Sequence, residues 1–218
     1  MKRLIFSCLL IIGLISSGFS QYTSAKDSDP EALALLTKAG KAFSTNNAQV
    51  NFKLKLTFPG QDPQVSDGIL YRGGSAYRLE LKDYHIISDG KTRWVYLKGP
   101  NELNIYNESN GQDWISPQDF LQLHTSKDLV FTLAANKTDG TSIIMAKPLK
   151  GRFDEYSKFT IGVKNGALSY INAISSDGTK QDLTITSVTN PATWDTSKLF
   201  TFHPALYPDI HIEDLRLD

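Results

Sequence analysis

The side chains able to carry covalent, metal or acid–base chemistry are sparse in this chain. Its four histidines are His85, His124, His203 and His211. None lies three to five residues from another, so no compact metal-ligand pair is formed by spacing. His211-Ile212-Glu213-Asp214 brings candidate ligands together, but in the C-terminal tail, where solvated side chains are the simpler reading. Asp154 and Glu155 are adjacent, and neighbours on a strand point to opposite faces. They do not form the facing carboxylates of a glycosidase, although a distant pair stays open. Neither Gly-x-Ser-x-Gly nor a phosphate-cradling Gly-x-x-x-x-Gly-Lys occurs. The expectation is a non-catalytic protein with no metal and no cofactor.

The single cysteine, Cys8, sits inside an apolar run from Leu4 to Ile15. Lys2 and Arg3 precede that run, and the small residues Gly18 and Ser20 follow it. This is the layout of a secretory signal peptide over residues 1–20, cleaved after Ser20. Such a run is short for a membrane span. A lipoprotein signal would carry its cysteine at the end of the run, so acylation of this chain is not expected. The remaining 198-residue portion, 21–218, reads as one cysteine-free domain held by packing alone. With 23 Lys+Arg against 23 Asp+Glu, the chain lacks the basic excess of a nucleic-acid binder.

The elements that must position any site follow from periodicity. Asp29 caps and Pro30 opens a helix whose apolar positions Ala32, Leu35, Leu36, Ala39 and Phe43 recur at helical spacing. The period then changes to two. Val50, Phe52, Leu54, Leu56 and Phe58 alternate with polar residues, and Pro59-Gly60 closes the strand. Tyr77, Leu79 and Leu81 repeat the pattern. Asp89-Gly90, Asn165-Gly166 and Asp177-Gly178 read as hairpin turns. Ser116-Pro117 opens a short helix carrying Phe120, Leu121 and Leu123. Phe200 to Phe202 is a possible last strand, and His203-Pro204 and Tyr207-Pro208 predict an irregular end. The sum is ~8–11 antiparallel strands with two or three helices, an α+β fold.

A sheet with one apolar face must bury it, and the predicted helices are few and short. Two readings follow: a core filled by its own side chains, or a face roofed incompletely and completed by a lipid.

The stretch Ile86-Ile87-Ser88-Asp89-Gly90-Lys91-Thr92-Arg93-Trp94-Val95-Tyr96 resembles the outer-membrane lipoprotein carrier (LolA-like) family. There, a strand ending in Ser-Asp-Gly-Lys precedes one bearing Trp-x-Tyr. Gly68 to Arg72 and Tyr77 to Leu81 are similar to the two strands before that hairpin. Ser116 to Leu123 falls where the family has a lid helix, and Phe159-Thr160-Ile161 and Lys198 to Phe202 look like its closing strands. The likeness runs from about Asp29 to Phe202.

The resemblance implies an incomplete (half) antiparallel β-barrel with amphipathic helices forming a lid over its concave face. It implies a periplasmic, monomeric carrier that takes acylated lipoproteins from an inner-membrane releasing transporter to an outer-membrane acceptor. The same fold could instead serve as a lipid-binding or sensory module with another ligand. The expected acyl-chain lining is Phe52, Leu54, Leu56, Leu79, Trp94, Tyr96 and Leu103, with Leu35, Leu36, Phe120 and Leu123 on the lid. In Thr92 to Leu97 the inward face is open, because Val95 and Leu97 make the other face apolar too. Arg72 matches the family's lid-latching arginine. Here it is followed by Gly73-Gly74 where the family has proline, and a one-residue slip would turn Arg72 outward.

Overall fold

The computed structural model describes residues 24–43, 47–108, 123–149, 151, 153–191 and 193–216. The signal peptide and Phe120 lie outside the described residues. Twelve strands form one open sheet, in the order β12-β6-β5-β4-β3-β2-β1-β11-β10-β9-β8-β7. The strands are β1 (Asn47–Thr57), β2 (Gln64–Gly73), β3 (Ala76–Glu80), β4 (Tyr84–Ser88), β5 (Thr92–Leu97) and β6 (Glu102–Asn107). They continue with β7 (Leu129–Asn136), β8 (Thr141–Pro148), β9 (Tyr156–Lys164), β10 (Ala167–Ser175), β11 (Lys180–Thr189) and β12 (His211–Asp214). Every pairing is antiparallel except β12 on β6, which is parallel.

The predicted hairpins form where their turn residues demand. Asn165 and Gly166 both take positive φ, at 53° and 78°. That is the geometry a type I′ turn requires, and few other residue pairs adopt it cheaply. The Gly73-Gly74 departure makes a tight turn with no slip of register. Gly73 pairs Ala76, and Arg72 pairs Tyr77.

Helix α1 (Pro30–Gly40) starts as expected: the Asp29 carboxylate accepts from the Glu31 amide at 2.8 Å. It buries Ala32, Leu36 and Ala39 against the sheet and continues into a 3₁₀ turn over Lys41–Phe43. The other α-helix among the described residues, α2 (Thr196–Leu199), is a single turn. The expected roof of several amphipathic helices is therefore not evident among the described residues, where α1 is the one helix longer than a single turn. The described part of the predicted 117–124 helix is a 3₁₀ turn at Leu123–Thr125.

Three further elements depart from expectation. Strand β7 lacks clean alternation and was not foreseen. Residues Phe200 to Phe202 are not a strand. Instead the strand falls in the tail, where β12 pairs the edge of β6 with all four of its residues exposed.

Two separate apolar clusters result. The larger lies between α1 and the sheet and includes Leu36, Phe43, Phe52, Leu79, Phe131, Phe159 and Ile161. A smaller one on the opposite side holds Ile87, Tyr96, Leu103 and Phe202. We call these sides the helix face and the back face.

Candidate functional site: the two faces of the sheet

Register assigns each predicted lining residue to a face. Val50 pairs Leu70, Leu70 pairs Leu79, Leu79 pairs Ile86, and Ile86 pairs Val95. Directly paired residues share a face. Phe52, Leu54, Leu56 and Leu79 therefore lie on the helix face with Ile86 and Val95. Ile87 pairs Trp94, His85 pairs Tyr96, and Tyr96 pairs Leu103. Trp94, Tyr96 and Leu103 thus lie on the back face. The single lining set read from the sequence is split in two. Val95, not its neighbours, faces the helix side, because the β4–β5 hairpin fixes that pairing. The residues missed on the helix face are Tyr84, Val95, Leu183 and Ile185, all half-buried and packed against the larger cluster. The alternation of Leu183 and Ile185 was the signal available for two of them.

On the helix face, α1 crosses from the sheet's β7 edge toward its middle. Its N-terminal end is tied to β7 through three hydrogen bonds. The Asp29 amide donates to the Phe131 carbonyl at 2.8 Å, and the Phe131 amide donates to Ser28 Oγ at 3.1 Å. The Leu133 amide donates to Asp29 Oδ2 at 3.3 Å. At the other end the Arg72 guanidinium donates to the Phe43 carbonyl. This supplies a donor to one of the carbonyls that a helix end leaves unpaired. Partial burial lowers the Arg72 pKa from its ordinary value. Leu36 is buried, and Leu35 is half-buried against the same cluster.

Between α1 and the sheet, beside Leu123 and His124, the described residues leave a crevice of ≈ 10 Å³. That is about the space of one water. The ring of His124 packs directly on Gly40, where a side-chain Cβ would come 2.4 Å from it. Phe52 lies across Gly68 in the same manner, with 2.2 Å left for a Cβ. Among the described residues, the space beneath α1 beside Leu123 and His124 is filled largely by the protein's own side chains. Beyond the helix, Leu54, Leu56, Leu183 and Ile185 share the face and are only half-buried. Leu54 pairs Leu183, so these side chains form one patch.

The back face is covered by the C-terminal tail. Tyr96, Phe202 and Tyr207 form a ring cluster with centroid separations of 4.6 to 5.6 Å. Tyr96 donates to Asn101 Oδ1 at 3.0 Å, and Asn101 Nδ2 donates to the Pro208 carbonyl at 2.9 Å. His85, next to Tyr96, has its pKa lowered to about 4, first by burial and then by the Lys98 charge. No group of three or more His, Cys, Asp or Glu is placed to hold a metal among the described residues. No helix among them is long and apolar enough to cross a membrane.

Among solved structures, this chain has LolA-superfamily neighbours. One is a LolA superfamily protein from Nitrosomonas europaea, 14% identical, with a TM-score of 0.41 over 78% of this chain and 97% of that one. A domain assigned to outer membrane lipoprotein sorting, from Vibrio parahaemolyticus, is 10% identical, with a TM-score of 0.41 over 77% and 95%. A DUF1329 family protein from Desulfovibrio piger is 12% identical, with a TM-score of 0.49 over 81% and 98%. No family model and no curated protein matches the sequence.

Proposed function

We propose that this protein is a non-enzymatic periplasmic carrier that shelters the acyl chains of lipoproteins on the helix face of its sheet. It receives them from an inner-membrane releasing transporter and passes them to an outer-membrane acceptor. One observation carries the reading: α1 is anchored to β7 by backbone and side-chain hydrogen bonds at one end, while at the other the side chains of Arg72 and Asn190 donate to the Phe43 and Ala42 carbonyls. Beside it lies the half-buried patch of Leu54, Leu56, Leu183 and Ile185.

The energetics favour a guest that lifts the helix. Raising the α1 segment uncovers Ala32, Leu36, Ala39 and Phe43 together with the sheet side chains beneath them, at a cost of about 1.5–3 kcal/mol for each large side chain left in water. An acyl chain gains about 0.8 kcal/mol per methylene, so a chain of ~16 carbons gains roughly 10 kcal/mol or more. A guest lying between helix and sheet re-covers those side chains and adds its own gain. The closed form therefore keeps its apolar surface covered when empty and opens only around cargo. Arg72 is the latch in this scheme, and Leu35 and Leu36 belong to the moving lid.

Leu54→Glu tests the reading. It places a charge in the patch at a half-buried position. The expected result is loss of lipoprotein extraction from donor vesicles by a protein with an unchanged circular dichroism spectrum. Lys53→Glu, on the opposite side of the same strand, serves as the control. A folded Leu54→Glu variant that extracts lipoprotein as well as the control would remove this function.

A further inference from the structure

Between the back face and the tail lies a groove of ≈ 490 Å³, within the size range of sites for small organic ligands. Its floor carries Arg78, Glu80 and Ile87, and its walls include Trp194, Phe202 and Tyr207. The Arg78 side chain is only 17% exposed. Its Nε donates to Glu80 Oε1 at 2.6 Å, and among the described residues no acceptor meets its two Nη groups. A guanidinium carries five N–H donors in a fixed planar fork, so four of them remain for the groove.

We propose that this groove binds a small apolar monocarboxylate. The Nη edge of Arg78 takes the carboxylate as a bidentate pair, which that planar fork fits better than any other anion-binding side chain. Glu80 already supplies one negative charge beside the guanidinium. The guanidinium then bridges two carboxylates through separate N–H groups, and the Glu80 charge opposes a dianion such as phosphate more strongly than a monoanion. The aromatic walls and Ile87 take the ligand's hydrocarbon body. Trp194 is a fixed wall, because its Nε1 donates to the Arg72 carbonyl at 2.8 Å and its ring meets Tyr71 edge-on at 5.8 Å. At the rim, Lys198 is 84% exposed and pairs with Asp195 at 3.2 Å, so the largely buried fork of Arg78 is the groove's specific anchor. The site lies on the opposite side of the sheet from Leu54 and does not depend on the carrier reading.

Calorimetric titration of the full mature chain with octanoate and with phenylacetate tests this, using octanamide and phenylacetamide as neutral counterparts. Saturable binding of the acids is expected, with the amides weaker by about tenfold or more, the effect of one charged hydrogen-bond pair. Arg78→Gln should lower acid affinity to the level of the amide and leave the amide unchanged. Leu206→Glu, at a rim residue that is 74% exposed, should keep the fold intact and weaken the acids selectively. Leu54→Glu should leave acid binding as it was. The proposal is overturned if neither acid binds saturably, if acid and amide bind alike, or if Leu54→Glu abolishes acid binding. It is overturned equally if the acids bind Arg78→Gln as they bind the wild type. Should Arg78→Gln fail to fold, unchanged acid binding by Leu206→Glu overturns it alone.

Discussion

Arg72 donates from its guanidinium to the Phe43 carbonyl, tying the end of the α1 segment to the middle of the sheet. Its own carbonyl accepts from Trp194 at the start of the C-terminal tail. One residue thus joins the covers of both faces. The N-terminal end of α1 is fixed by backbone and side-chain bonds to β7, whereas the side chains of Arg72 and Asn190 hold the other end through the Phe43 and Ala42 carbonyls.

Arg72→Gln should therefore loosen one end of the helix only, where Asn190 still donates to the Ala42 carbonyl. The expected loss of global stability is about 1–2 kcal/mol, less than a fully buried charged hydrogen bond because the site is partly exposed. Amide hydrogen exchange should accelerate at Leu36, Ala39 and Gly40 and stay slow at Leu33, near the Asp29 cap. Acceleration spread evenly along α1 would mean that Arg72 is no latch.

At Gly73 the Phe200 ring of the tail packs directly on the sheet. A Cβ there would lie 2.5 Å from the Phe200 ring. Gly73→Ala should destabilise the protein by about 1–3 kcal/mol through overpacking. In a Phe200→Ala background the same substitution should cost much less, a coupling that a double-mutant cycle measures. Equal costs in both backgrounds would place the strain elsewhere.

Truncation separates the roles of the tail. Ending the chain at Ile210 removes β12, whose four residues are all exposed, and should leave a folded protein with a small loss in denaturant midpoint. Ending it at Thr201 also removes Phe202 and Tyr207 and uncovers Tyr96, Leu103 and Ile87. That form should bind a hydrophobic fluorescent dye and self-associate, as expected for a large exposed apolar patch. A soluble, dye-silent shorter form would show that the back face needs no cover.

Stability should fall as pH drops below neutrality. His85 has a folded pKa of about 4 against an ordinary 6.5, and burial lowers His124 as well. Between those values the unfolded chain binds more protons than the folded one, so the contribution is full above about pH 6.5 and is lost toward pH 4. The denaturant midpoint should decline across that window, and His85→Gln should flatten part of the slope. An unchanged slope in that variant would exclude His85 as its source.

The sequence alone determined the local pieces. Asp29-Pro30 starts α1, the Val50 to Leu56 alternation makes β1, and Asn165-Gly166 turns the β9–β10 hairpin, because caps, strand period and positive φ are properties of a few adjacent residues. Arg72 and Leu79 were also legible as members of the strands flanking one tight turn. Tertiary structure decided which faces were alike. Alternation says that the two sides of a strand differ, but only pairing register carries that difference to the next strand. Ile86 and Ile87 are both buried, so hydrophobicity could not choose between Val95 and its neighbours Trp94 and Tyr96. The pairing of Ile86 with Val95 settled it. The tail settled the rest. Arg78 and Glu80 read as a solvated face until Trp194 to Tyr207, more than a hundred residues later, folded over them. Contacts that distant follow from the path of the whole chain, which no local pattern encodes.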